Sequence, residues 1–344
     1  MACRRRVILV AVDTVTDRPF YDGGMTADDT PVPEAAAGSV APAPSAPVTV
    51  DLPADEPQRL RGIAADLGIP GFVDIHTHFM PTNVLDKVWG YFDHATERGL
   101  RPWPIAYRWE EEARVQRLRD MGVRAFTSML YPHKAGMAQW LNGWAADFAA
   151  RTPDCAHTST FFPEPEAADY TRRALDAGTK VFKSHVQVGG YDPADPLLDL
   201  VWAQIAEAGV PVVIHCGSGP VPGRHTGLDP VRQVLSRHPD LPLVIAHTGT
   251  PEYAEFLRLA RDYERVCVDT CMTFTPYVEE TAPFPQELMG DLVDLQDKVV
   301  LGSDFPNIPY PYSVQIDAIL GLGLGADVER KILHDNGVRL LGLD

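Results

Sequence analysis

The stretch that decides the fold is KVFKSHVQVGGYDPADPLLDLVWAQIAEAGVPVVIHCG, residues 180–217. It opens with the β-branched run KVFKSHV (180–186) and closes with VPVVIH (210–215). Between them lies PLLDLVWAQIAEAG (196–209), whose leading proline suits a first helical turn and whose final glycine suits a helix end. Two short apolar runs joined by an amphipathic segment read as a strand–helix–strand crossover, which pairs its strands in parallel.

The same unit recurs on either side. Toward the N-terminus stand the strand candidates GFVDIH (71–76), VRAFTSML (123–130) and CAHTSTFF (155–162), with a helical pattern at WEEEARVQRLRDMG (109–122). Toward the C-terminus follow LPLVIAH (241–247), RVCVDT (265–270) and KVVLGS (298–303), with PEYAEFLRLARDY (251–263), SVQIDAILGLG and ADVERKILHDNG as helices. Eight strands with interleaved helices predict an α/β fold of the (β/α)8 TIM-barrel type.

Residues 31–57 hold seven prolines and seven alanines, a composition that removes backbone donors and offers little to bury. The reading is therefore a Pro/Ala-rich N-terminal arm, largely linker or disordered, over 1–65, and a barrel over 66–344. One connection, 88–109, is long and carries Trp89, Tyr91, Phe92, Trp103, Tyr107 and Trp109; it reads as a cover over the barrel mouth or as peripheral packing.

Composition narrows the function. A net charge of −17 repels phosphate backbones and argues against nucleic acid as a partner. No apolar run approaches the roughly 18 residues of a membrane span. The apolar run after Arg4–Arg6 is too short for a signal peptide, and five cysteines without a CxxC suit a reducing compartment, so a cytoplasmic enzyme of a small molecule is expected.

Catalytic groups in such barrels stand at the C-terminal ends of strands. Here those ends carry His76 and His78, Lys183 and His185, His215, His247 and Asp304; five of the chain's 11 histidines fall there. Residues i and i+2 of a strand share a face, so His76 and His78 can offer two imidazoles to one ion, with His215 and Asp304 completing the shell. One divalent metal, Zn2+ foremost, would lower the pKa of a water to about 7. Arg224 and His225, in the loop after the fifth strand, can meet an anionic group. Phe305, Tyr310 and Tyr312 come near the mouth, and Cys216 reads as packing.

GFVDIHTHFMP, the 180–217 stretch, LVIAHTG and LGSDFP together resemble the amidohydrolase superfamily, in its amidohydrolase-related branch that includes aminocarboxymuconate-semialdehyde decarboxylase-like enzymes. The resemblance spans about residues 70–344. It implies His76, His78, His215 and Asp304 as metal ligands, with Asp304 also moving the proton and His247 holding the water or the scissile group. Some superfamily members carboxylate a strand-four lysine to bridge two metals, but the Lys183–His185 pairing resembles the mononuclear branch. There Lys183 and His185, with Arg224, are expected at the substrate.

The expected reaction is zinc-dependent hydrolysis of an amide, ester or lactone, with non-oxidative decarboxylation of an aromatic or muconate-like acid as the alternative. A barrel nuclease with the same His-x-His pair and a non-catalytic barrel are further readings, disfavoured by the acidic charge and by the intact histidine set. Members of the resembled branch are often dimers, so a homodimer is expected.

Overall fold

Nine short strands alternate with helices in a computed structural model that describes residues 49–343. They are β1 (Phe72–Asp74), β2 (Val123–Thr127), β3 (Cys155–Ala156), β4 (Thr158–Thr160), β5 (Val181–His185), β6 (Val212–His215), β7 (Leu243–Ile245), β8 (Val266–Asp269) and β9 (Val299–Val300). Every pairing is parallel, in two runs ordered β1-β2-β3 and β4 through β9. The runs are one ring. β3 and β4 are the single strand expected over 155–162, interrupted at His157, and Ile75 N donates to Leu301 O at 3.0 Å to close the far side. All eight expected barrel strands are therefore present, and the protein is a TIM barrel.

Alternation along the strands builds the interior. Val73, Ala125, Ala156, Val181, Val213, Val244 and Val300 form an apolar layer inside the ring, joined from below by Leu341. Two residues further along their strands, on the same face, stand Lys183 above Val181, His215 above Val213 and Asp269 above Cys267. The interior thus changes from an apolar floor to a buried ionisable layer within one pleat.

The opposite strand faces, Phe126, Phe182, Ile214, Ile245 and Val268 among them, pack on the helices. The helix Asp199–Ala208 buries Val201, Trp202 and Ile205 and stops at Gly209, whose φ of 69° is the left-handed turn that glycine adopts without penalty. Each such buried side chain contributes roughly 1.5–3 kcal/mol.

Two sequence expectations shift. Residues 56–65 do not belong to an arm: Glu56–Asp66 is a helix with Glu56, Leu60 and Ala64 buried against the barrel. Pro57, which reads as linker composition, sits in the first helical turn, where its missing N–H is not needed. Of the rest of the arm expectation, residues 49–55 carry no helix or strand, and residues 1–48 lie outside the described residues.

The long aromatic connection also contains structure, a helix over Thr82–Asp93 and a turn at Thr96–Arg98. It is pinned to the loops that follow β8 and β9. Trp89 Nε1 donates to Asn307 Oδ1 at 3.0 Å, Trp103 Nε1 to Asn307 O at 2.6 Å, and Tyr277 OH to Pro102 O at 3.1 Å. Among the described residues no helix is long and apolar enough to cross a membrane, and the cysteines at 155, 216, 267 and 271 are free thiols.

Candidate active site

Six strands, β1 and β5 through β9, bring their ends to one point. At the end of β1, the buried Asp74 fixes the exit of the chain: Oδ1 accepts from His76 N at 3.1 Å and Oδ2 from Tyr312 OH at 3.0 Å. Burial pushes the Asp74 carboxyl up to about 7. His76 then donates from Nδ1 to Asp269 Oδ2 at 2.8 Å. That leaves a lone pair on Nε2, which Lys183 Nζ meets at 2.8 Å and which lies 3.6 Å from Asp304 Oδ1. His78 donates from Nδ1 to Met129 O at 2.6 Å and turns Nε2 to Asp304 Oδ1 at 2.9 Å.

After β7, His247 and Thr248 have φ of 55° and 52°, left-handed values uncommon outside glycine. This turn is held by Asp269, whose Oδ1 accepts from His247 N at 2.7 Å. His247 Nδ1 donates to Cys271 O at 3.0 Å, again leaving Nε2 as the free nitrogen. Asp304, φ 70°, is anchored through its N–H to His76 O at 2.9 Å.

Three imidazoles thus have Nδ1 committed to a fixed acceptor and Nε2 left over. Such outer partners fix tautomer and ring orientation in metal-binding histidines. Between His78 Nε2 and Asp304 Oδ1, 2.9 Å apart, either a proton or a cation must stand, because both atoms otherwise present lone pairs. A divalent cation meets that requirement, and the donor set of imidazole nitrogens around a carboxylate suits one. Among the described residues, ligand atoms of His76, His247, Cys271 and Asp304 lie within 4.8 Å of one another.

The electrostatics agree. Burial, and then the nearby Lys183 ammonium, push His76 well below the usual histidine range. Burial likewise lowers His247 and Lys183. Burial pushes the Asp304 carboxyl up, but the His78 hydrogen bond and the surrounding imidazoles outweigh it and hold the carboxyl well below its ordinary value. Imidazoles of His76 and His247 held neutral by burial, beside an ionised carboxylate, are the protonation states that metal ligation uses.

The remaining expected residues divide. His185 and His215 stack face to face, centroids 4.1 Å apart, with Tyr131 against His185 and His247 against His215. They form one wall of the site. His185 Nδ1 accepts from Val188 N at 3.3 Å, so its Nε2 carries the proton. His215 donates from Nε2 to Gly219 O at 3.1 Å, so the quartet expected from the sequence and the quartet gathered here share only His76 and Asp304.

Lys183 is fully buried below the mouth and engaged by His76. Arg224 is exposed on the loop after β6, and no contact among the described residues joins it to the cluster. Phe305 and Tyr312 are buried in packing with Tyr107 and do not line the opening. Asp269 and Cys271 were not singled out in the sequence, although Asp269 ends β8 as His215 ends β6.

A family model for amidohydrolases matches residues 73–343, and the chain belongs to that family. It is a metal-dependent enzyme of amidohydrolase type. Among solved structures, an uncharacterised TIM-barrel protein from Bordetella bronchiseptica is 20% identical, with 79% of this chain and 99% of that chain covered at a TM-score of 0.60. A probable 2-pyrone-4,6-dicarboxylic acid hydrolase from Acinetobacter baumannii is 16% identical (79% and 99% covered, TM-score 0.56). A 5-carboxyvanillate decarboxylase from Novosphingobium aromaticivorans, complexed with manganese and 4-hydroxy-3-methoxy-5-nitrobenzoic acid, is 17% identical (80% and 97% covered, TM-score 0.54). At these identities the likeness is one of fold. Among curated proteins none matches.

Proposed function

We propose that the barrel mouth holds one zinc ion and that the enzyme hydrolyses an amide, ester or lactone of a small, carboxylated or ring-containing molecule. The observation that carries this reading is the triple commitment of Nδ1 in His76, His78 and His247, which leaves three Nε2 atoms beside the Asp304 carboxylate. His76, His78 and Asp304 would hold the ion, with His247 or His215 beside it. When bound, zinc supplies Lewis acidity and brings the pKa of a water to about 7.

The chain's own groups divide the remaining work. Asp304, ionised at neutral pH, accepts the proton of the attacking water and returns it to the leaving group. His247, neutral and with Nδ1 donated to Cys271 O, can only accept at Nε2, so it orients that water. His185 offers the complementary function, an Nε2–H donor on the wall, for the substrate's carbonyl or carboxylate oxygen. Contact with the scissile group, one of the two roles expected of His247, thus passes to His185, and His247 keeps the water.

The test is metal content by plasma mass spectrometry on protein purified without added metal, followed by a screen of lactones, cyclic amides and aromatic carboxylates. We expect one zinc per chain, hydrolytic product, and loss of both in His76→Ala. Carbon dioxide release without hydrolysis would replace this reaction by decarboxylation at the same site. Full turnover in a metal-free variant would overturn the reading altogether.

A further inference from the structure

We infer that Cys271 is an additional metal ligand, and that its sulfur biases the site toward zinc or cobalt and away from manganese or magnesium. This rests on the reading that the mouth holds a divalent cation.

The chain after β8 is shaped to deliver this side chain. Thr273 N approaches both Cys271 O, at 2.7 Å, and Thr270 O, at 2.9 Å. Met272 and Phe274 have φ of 56° and 70°, left-handed values that a non-glycine side chain adopts only where surroundings enforce them. The enforcement is visible: the fully buried Gln315 donates from Nε2 to Thr270 O at 3.0 Å and to Thr273 O at 3.2 Å. Cys271 itself is tied to the site from both ends of its peptide unit. Its N–H donates to Asp269 Oδ1 at 3.1 Å, and its carbonyl accepts from His247 Nδ1 at 3.0 Å.

The facing chain leaves room for it. A Cβ on Gly302 would stand 2.8 Å from His76 Cβ and 3.1 Å from Cys271 Cβ, so any larger residue would push the two apart. Packing accounts for the complete burial of Cys271, as it does for Cys216. It does not account for a sulfur whose neighbours are an imidazole of His76, an imidazole of His247 and the Asp304 carboxylate, all ligand atoms within 4.8 Å. Ligation exchanges the thiol proton, released to solvent, for the cation. Thiolate is a soft donor that favours zinc and cobalt, whereas manganese and magnesium prefer all-oxygen or nitrogen and oxygen shells.

The experiment uses the full chain, stripped of metal and loaded with cobalt(II). Wild type should show visible d–d bands and a near-ultraviolet sulfur-to-cobalt charge-transfer band, and Cys271→Ser should keep the first and lose the second. Competition between zinc and manganese should show at least a tenfold drop in zinc preference in the same variant. Identical spectra and unchanged preference in the two proteins overturn the role of Cys271 while leaving the cation site intact. The absence of cobalt bands in wild type overturns both. Should Cys271→Ser fail to fold, zinc-edge X-ray absorption of wild type decides: one sulfur at about 2.3 Å supports the ligand, and a shell of nitrogen and oxygen alone excludes it.

Discussion

Asp269 organises the site without facing the mouth. One carboxylate accepts three N–H groups, from His76 Nδ1, His247 N and Cys271 N, at 2.8, 2.7 and 3.1 Å. Burial pushes its carboxyl up to about 6, yet these donors supply what water would. Asp269→Asn keeps an oxygen for the two backbone donors but turns an N–H toward His76 Nδ1. That reverses the tautomer and places a proton on Nε2, where a ligand needs a lone pair. Metal affinity should fall about 10–100-fold with the fold retained, measured by competition with a chromogenic chelator. Unchanged affinity would mean that His76 does not ligate through Nε2. The histidines of this site were legible in the sequence because they stand at strand ends with a two-residue period. Asp269 was not, because an aspartate ending a strand looks the same whether it faces solvent or receives an imidazole from across the barrel. Which nitrogen of each ring points inward was likewise hidden, since Met129 O and Cys271 O decide it from other strands.

At the scale of elements, the helix Glu56–Asp66 ties the barrel's beginning to the loop after β9. Glu56, fully buried, accepts from Arg117 Nη2 at 2.5 Å, Ser313 N at 2.8 Å and Tyr107 OH at 3.2 Å, and Tyr107 OH in turn accepts from Tyr312 N at 2.7 Å. Tyr312 OH reaches Asp74, one peptide away from the residues that lead into His76. Removing the carboxylate strands a partly buried guanidinium and a backbone N–H, so Glu56→Ala should lower stability by about 3–5 kcal/mol, read from urea unfolding. A loss under about 1 kcal/mol would show that the helix is a loose appendage. The strands were legible as β-branched runs, and so were most helices, from their apolar spacing. This helix was masked by proline-rich neighbours, and the helix at Thr82–Asp93 by aromatic residues whose partners, Asn307 above all, lie more than 200 positions away in the chain. Long-range partners of that kind leave no local periodicity.

Across the described body, the charge balance of the mouth bears on stability as much as on chemistry. Asp269 and Asp304 are buried together with Asp74, and Lys183 is the one lysine among them. Buried carboxylates in excess of cations are expensive unless something positive is shared between them. A divalent cation that binds the folded chain alone offsets this, because binding to the native state stabilises it by mass action, about 4 kcal/mol at a thousandfold excess over Kd. For a body of this size that corresponds to a rise of about 5–10 °C in thermal midpoint on loading stripped protein with zinc. His76→Ala should show a shift below about 1 °C under the same conditions, because the site, not the acidic surface, is then the source of the effect. The surface is the alternative to beat: with a net charge of −17, the chain can collect divalent ions loosely at many exposed carboxylates. An equal shift in wild type and variant would assign the stabilisation to that surface and remove the thermodynamic argument for a cation at the mouth.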